Sequence, residues 1–353
     1  STDFQQAVAG EWCDSCDASC GCFFGALGGL AMGRNRPNAY WTSYEASIDD
    51  LVLNTQSAGA NWTGGWQINV GYLFGNGGGG CGANSCGPCG PCGTCGCGFT
   101  GPGIGFTYWG LGNMSGFAQA NSATDELNAT FSLLDPSTVS GQVEIGGQPF
   151  SDFFDDSASH RIMRDDSAAN YELNLYFGAF NHYHWTVVPF IGFRYFRFDE
   201  RLIFAGLAGG ATWGGNGGLD QAALSFRTTN DLYGLQLGTY ANYWIANRFS
   251  WFIGPKVGIY GNQMSNRALL ARGDGVVGFD ATANKSDFSL LGEIDTGFTW
   301  FFGPRFMAYA GYRVLGVTNV ALADNQFVQG IGDVKQSGSL ILHGLMMGGG
   351  WTF

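Results

Sequence analysis

Charge is what this sequence has least of. Only 12% of its 353 residues are charged, and 28 acids outnumber 16 bases, for a formal net charge of -12. That balance supplies no basic stripe for a phosphate backbone and argues against nucleic acid as a partner. Long apolar runs are missing too: none approaches the ~18–20 residues of a membrane-crossing helix. The start lacks a basic segment leading into an apolar core and a cleavage site, so Ser1 reads as the first residue of a mature, exported chain. The length would allow two soluble domains, yet no linker separates two cores.

What is abundant is glycine, with 59 residues, and aromatic side chains, with 29 Phe, 14 Tyr and 11 Trp. Such a mixture is odd for a cytosolic enzyme and suits a barrel with an apolar outside and a crowded inside. The last stretch, from Ser339 to Phe353, states the pattern most plainly. Positions two apart share a face of a strand, so Ile341, Leu345, Trp351 and Phe353 face one way and Gly344, Met346, Gly348, Gly350 and Thr352 the other. An apolar face that ends on Trp and Phe is what lipid and its interface favour. A buried terminal strand of a soluble sandwich is the alternative that the rest of the chain has to exclude.

The same alternation recurs along the chain. Trp66, Ile68, Val70, Tyr72 and Phe74 oppose Gln67, Asn69 and Gly71. Ten such strands are expected, at about 23–32, 65–74, 103–112, 170–180, 185–198, 231–244, 249–262, 288–301, 306–317 and 339–353. Pro255 falls on an outer face and predicts a bulge or weak pairing there. Tight turns are expected at 181–184, 245–248 and 302–305, and long connections at 34–63, 121–167, 205–230, 263–286 and 318–337. Short and long connections alternate from the third strand on, as they do in outer-membrane barrels. The expected fold is therefore all-β: a transmembrane antiparallel up-and-down β-barrel of about ten strands, with short periplasmic turns and long extracellular loops. Its organisation would be a cysteine-containing periplasmic arm at 1–22 and a barrel at 23–353, interrupted by a Gly/Cys-rich periplasmic insert at 75–102 and a long acidic extracellular loop at 121–167.

The stretch Gly-Phe-Thr-Tyr-Trp-Gly-Leu (105–111), the long aromatic strands and the final Trp-Thr-Phe resemble the planctomycete outer-membrane beta-barrel porin family. The resemblance runs from about residue 23 to the end. It implies an integral place in the outer membrane of a Gram-negative-type cell, with membrane lipid as the surrounding partner. It fixes an activity less firmly, and no functional residue is carried over from it. The closing strand also looks like the terminal strand of bacterial outer-membrane barrels, whose final aromatic is part of the insertion signal.

Six charged residues fall on inward faces in this register: Glu172, Arg194, Lys256, Glu293, Asp295 and Arg313. Arg197 lies on the opposite face from Arg194, so the register of that strand decides which of the two faces in. Tyr176, Tyr240, Tyr260, Tyr309 and Trp109 point the same way as the six. Charges at low dielectric need partners or water, and a ten-stranded barrel is little wider than the eight-stranded ones that side chains fill. One reading is a paired, plugged lumen; the other is a narrow polar channel for ions or small solutes.

The ten cysteines are Cys13, Cys16, Cys20, Cys22, Cys81, Cys86, Cys89, Cys92, Cys95 and Cys97. In an oxidising compartment they read as disulfides, with bridges expected between the arm and the insert. Zinc or a cluster, and bridges between chains, remain alternatives. The 121–167 loop holds nine acids, Asp125, Glu126, Asp135, Glu144, Asp152, Asp155, Asp156, Asp165 and Asp166. Asp152, Asp155 and Asp156 are candidate calcium ligands; otherwise no cofactor is expected. His160 beside these acids resembles the Asp and His pairs of ten-stranded outer-membrane proteases, but no second loop supplies a counterpart, so no enzyme is expected. His182 and His184 read as interfacial anchors. The functional expectation is a porin-like barrel. The alternative is a structural surface protein that assembles into homo-oligomers or arrays through its loops and its disulfide-rich base.

Overall fold

The computed structural model describes residues 22–74, 102–133, 142–303, 305–327 and 331–352. Nine of the ten cysteines lie outside these residues, and of Cys22 only the backbone is described, so the disulfide and metal expectations for them fall outside as well. Asp135 and Phe353 fall outside too.

The strands in chain order are β1 (Cys22–Arg34), β2 (Trp41–Glu45), β3 (Leu51–Asn54), β4 (Thr63–Leu73), β5 (Gly103–Asn121), β6 (Leu127–Ala129), β7 (Glu144–Ile145), β8 (Gln148–Pro149), β9 (Ser157–Tyr176), β10 (Phe180–His182), β11 (Trp185–Ala208), β12 (Gln221–Ala246), β13 (Phe249–Arg272), β14 (Val277–Phe301), β15 (Phe306–Val320) and β16 (Gly338–Thr352). Two one-turn helices, α1 (Ser151–Phe154) and α2 (Ala323–Gln326), lie in connections. No helix among the described residues is long and apolar enough to cross a membrane.

The sheet is antiparallel throughout, and its long strands pair in a ring. The ladders run β1–β4–β5–β9–β11–β12–β13–β14–β15–β16 and return from β16 to β1. The arrangement resembles outer-membrane barrel folds, in which pairing all around leaves no open edge for lipid to meet. Pro255 interrupts one ladder: β12–β13 pairs stop at Gly238↔Lys256 and resume, in the same register, at Ala241↔Ile253. The arm and the insert are attached side by side, since Cys22 pairs opposite Leu73 and Phe74 N–H donates to the Pro102 carbonyl at 2.9 Å.

Aromatic rows mark two levels on the outer wall. At the upper one, Trp66, Tyr108, Tyr171, Tyr195 and Tyr233 touch in succession across five strands, with ring centroids 4.7, 4.8, 5.7 and 4.8 Å apart. At the lower one, Trp185 meets Tyr243 and Trp251, Phe249 stacks on Phe298, and Phe23 meets Tyr72. Between the rows the outward side chains are apolar and exposed, including Leu235, Leu237, Val257, Ile259, Leu290 and Ile294. Tyr233 to Tyr243 on β12 covers ten steps, or ~33 Å of strand; at a tilt of ~40° that is ~25 Å of height, the thickness of a lipid-facing band.

Above the upper row the strands continue, contrary to expectation. Most of 205–230 and 263–286 is strand rather than loop: β11 runs to Ala208, β12 starts at Gln221, and β13 joins β14 through residues 273–276 alone. The acidic loop is likewise shorter, because β5 extends to Asn121 and β9 starts at Ser157. The cause is a switch in polarity. Outward positions become Arg197, Asp199, Arg201, Arg227, Thr229, Ser265 and Arg267, while inward ones become Phe198, Leu202, Phe204, Leu224, Phe226 and Leu270. A search for apolar outer faces ends where the outside turns polar. Inside this upper part, β2, β3 and β6 form a small extension of the sheet, and Phe150, Phe153, Phe154 and Phe327 enter from connections to pack on Phe204 and Phe226.

Candidate functional site in the lumen

The interior between the aromatic rows starts, at the turn end, with an apolar layer of Phe24, Leu73, Tyr176, Val188, Phe190 and Tyr240. Phe190 stacks on Tyr240 at 5.0 Å. Inward glycines make room for such rings: a side chain at Gly238 would collide with the Phe190 ring.

Above that layer sits the charged one. The register alone brings three acid–base pairs face to face: Glu172 opposite Arg194 on β9 and β11, Lys256 opposite Glu293 on β13 and β14, and Asp295 opposite Arg313 on β14 and β15. Opposed opposite charges stabilise a sheet pair. The side chains then reach across the lumen. Arg194 Nη2 contacts Glu293 Oε2 at 2.5 Å, and Lys256 Nζ contacts Glu293 Oε1 at 2.7 Å and Glu172 Oε1 at 3.2 Å. Arg313 grips Asp295 with two bonds of 2.7 and 2.9 Å and lies 3.4 Å from Glu293. All six are buried. Three acids and three bases leave no net charge.

A buried ion network is tolerable only when its members are also hydrogen-bonded. Here Glu172 accepts from Asn170, Asn174 and Gln236 at 3.0, 3.2 and 2.9 Å, while Arg194 Nε donates to Asn170 at 2.5 Å. Gly192, opposite Asn174, leaves the space that the amide occupies. The Arg313 guanidinium also lies over the Trp109 ring, 5.5 Å from its centre. The structure thus places all six sequence-predicted residues inside, in one network, with Arg194 inward and Arg197 on the outer wall. Tyr176, Tyr240, Tyr260, Tyr309 and Trp109 are inward as well.

A second charged layer went unread in the sequence. Above an apolar layer containing Trp109, Phe196, Phe198, Leu232 and Leu315, Arg34 Nη1 contacts Asp166 and Glu200, each at 2.9 Å, and Arg164 pairs with Glu200. The connection before β16 drops onto this layer. Ala323 N–H donates to Glu200 Oε2 at 2.8 Å, and the Asn230 amide both donates to and accepts from the Ala321 backbone at 2.8 Å. Helix α2 is buried at every residue. These residues lie in stretches read as connections. The legible signal was that Phe198, Glu200, Leu202 and Phe204 carry on the alternation of β11.

The remaining candidates do not assemble. Among the described residues, no three acidic, histidine or cysteine side chains come together as a metal cradle. Of the calcium candidates, Asp152 sits in α1, while the Asp155 carboxylate accepts from Ala129 N–H at 3.2 Å. Burial, with Asp156 next door, pushes the Asp155 carboxyl above its usual range despite that bond. His160 is buried against Phe154 and Phe204, and its Nδ1 bonds the Ser43 hydroxyl at 2.8 Å.

No family model matches the chain, and no curated protein does. Among solved structures, it is similar to the outer membrane protease OmpT of Escherichia coli, at 10% identity over 94% of this chain and 96% of that one, with a TM-score of 0.43. A major outer membrane protein of Thermus thermophilus matches at 11% over 94% and 99%, with a TM-score of 0.32. The Pseudomonas putida toluene transporter TodX matches at 9% over 94% and 88%, with a TM-score of 0.24. Overlaps this loose carry nothing about activity, and the functional reading rests on the chain's own ladders and side chains.

Proposed function

We propose that this chain is an integral outer-membrane β-barrel of ten spanning strands whose lumen is closed at rest, and that its role is structural: it anchors a rigid, loop-filled head above the lipid. Short turns face the periplasm and the head faces outward. The observation that carries this reading is the layered filling of the lumen. Apolar, charged, apolar, charged and apolar layers follow one another, and the two charged layers are internally paired. Assembly into oligomers through the head belongs to the same reading. Catalysis does not: the histidine nearest the acidic connection is buried and bonded to a hydroxyl.

One observation favours the second reading, a narrow porin-like channel. On the lower inner wall, Gln67 Oε1, Asn69 Oδ1, Thr107 Oγ1, Asn242 Oδ1, Ser250 Oγ and Thr299 Oγ1 are buried without a protein hydrogen-bond partner. Buried polar atoms are satisfied by water where protein gives none, so a wetted wall would lead up to the charged layer. Planar-bilayer recording with the full chain separates the two. The closed reading expects no steps above the lipid baseline in the unaltered protein, and small steps once Arg194 and Glu293 are both replaced by Ala. Steady conduction by the unaltered protein would overturn it in favour of the channel.

A further inference from the structure

The outer wall just above the upper aromatic row is built differently from the rest. Taking outward positions row by row, Tyr108–Tyr171–Tyr195–Tyr233 is followed by Gly110–Ala169–Arg197–Asp231, then by Ser167–Asp199–Thr229–Ser265, then by Asp165–Arg201–Arg227–Arg267. Toward β4 and β5 the first of these upper rows is made of small residues. A groove of about 590 Å³ lies there, with Gly64, Gly110 and Ala169 in its floor, Trp66 and Tyr108 as a shelf below, and Arg197 and Asp199 at one end. At Gly64 a side chain would meet nothing within 4 Å, so the trough is open to an occupant.

The third row sets three guanidiniums directly in register on β11, β12 and β13. Neighbouring strands lie ~4.8 Å apart, and like charges opposed across a ladder repel. Acids relieve the strain only in part. Asp280 holds Arg267 with bonds of 2.8 and 2.6 Å, and Asp199 with Asp231 holds Arg197. Arg227 reaches Asp199 only at 4.0 Å and its side chain is 62% exposed. Arg201 faces Asp165 in register, but no ion pair to it forms among the described residues. Two weakly neutralised cations therefore stand side by side, roughly 15 Å above the tyrosine row for a strand tilted by ~40°. That is headgroup height, with an aromatic shelf beneath for acyl chains.

We propose that this wall binds the phosphorylated headgroup of an outer-leaflet glycolipid, with its sugars in the groove, its phosphate on Arg201 and Arg227, and its acyl chains over the tyrosine row. The proposal rests on the reading that the apolar belt lies in the outer membrane, but not on whether the lumen is closed. Full-length protein in zwitterionic detergent would be titrated with an acylated diphosphoryl disaccharide, the same disaccharide without acyl chains, phosphatidylcholine and inorganic phosphate, read by native mass spectrometry and calorimetry. The acylated disaccharide should bind one per barrel. R201Q and R227Q should each weaken it roughly fivefold, while R227K and R248Q, the latter in a turn at the other end, should retain it. Binding that is unchanged in the R201Q/R227Q double variant, or equal for phosphatidylcholine, would overturn the proposal. Equally tight binding of inorganic phosphate or the deacylated sugar would overturn the lipid as the source. A barrel that conducts and still binds the glycolipid would sink only the closed-lumen reading.

Discussion

The six longest strands, β5, β9 and β11 to β14, run on past the tyrosine row, and β12 shows how the wall is built in opposite senses below and above it. Below it, on β12, Leu235 and Leu237 face out and Gln236 faces in; above it, Arg227 and Thr229 face out and Leu224 and Phe226 face in. The backbone does not change: strand geometry, pairing and register run through the boundary. Only the solvent outside changes, and the interior follows. A wall facing lipid can be apolar because lipid rewards it, and its interior then has to be made of paired charges and amides. A wall facing water carries the charge itself, and the interior, above the paired layer of Arg34, Arg164, Asp166 and Glu200, becomes an apolar core driven by the hydrophobic effect.

The comparison implies different failure modes for the two halves. In the lower half, removing one member of the ion network should be worst, because the others stay buried and unpaired. Glu293→Ala leaves Arg194, Lys256 and Arg313 short of an acid, and should cost about 3–5 kcal/mol in unfolding from lipid vesicles. A cost below that of an exposed pair would mean the network is hydrated rather than sealed. In the upper half the vulnerable groups are the rings. Phe204→Ala removes the side chain that touches Phe131, Phe154 and Phe327, and should cost about 3–4 kcal/mol by cavity formation. Its hydrogen exchange should rise in the head and stay low between the aromatic rows; a uniform rise would deny that the halves are separate cores.

Outer-wall substitutions sharpen the contrast. Leu237→Arg, near the middle of the belt, should cost about 2–4 kcal/mol in lipid. Ser265→Arg on the neighbouring strand, above the row, should stay within about 0.5 kcal/mol. Equal costs would erase the boundary. The smallest effect is expected for the exposed pair Arg267–Asp280, half in solvent on both sides, where Asp280→Asn should lower stability only slightly at low salt and not at all at high salt.

The sequence was legible where its two signals agreed. Between the aromatic rows, apolar outward positions alternate with small or polar inward ones, and that period placed the lower halves of the strands. It also placed Glu172, Arg194, Lys256, Glu293, Asp295 and Arg313 on one face, because charges in a lipid-facing strand have only the inside to go to. Their pairing follows from register, which alternation alone does not give. Above the row the period persists with its sign reversed, and a reading that took apolar to mean outward stopped there. Arg34, Arg164, Asp166 and Glu200 were lost for that reason. Helix α2 was illegible for another: Ala-Asp-Asn-Gln is polar, and its burial depends on partners elsewhere in the chain, with Glu200 accepting from Ala323 N–H, Asn38 donating to Asp324 and Asn325, and Gln326 bonding the Lys335 backbone.

The most direct test of the inversion is a spin-label scan of outward positions along β12 in lipid vesicles, reading accessibility to oxygen against a water-soluble nickel chelate. Labels at 235, 237 and 239 should report lipid, with oxygen favoured, and labels at 223, 227 and 229 should report water, with the crossover between 231 and 233. Lipid-like accessibility at 227 and 229, or water-like accessibility at 235 and 237, would contradict the account.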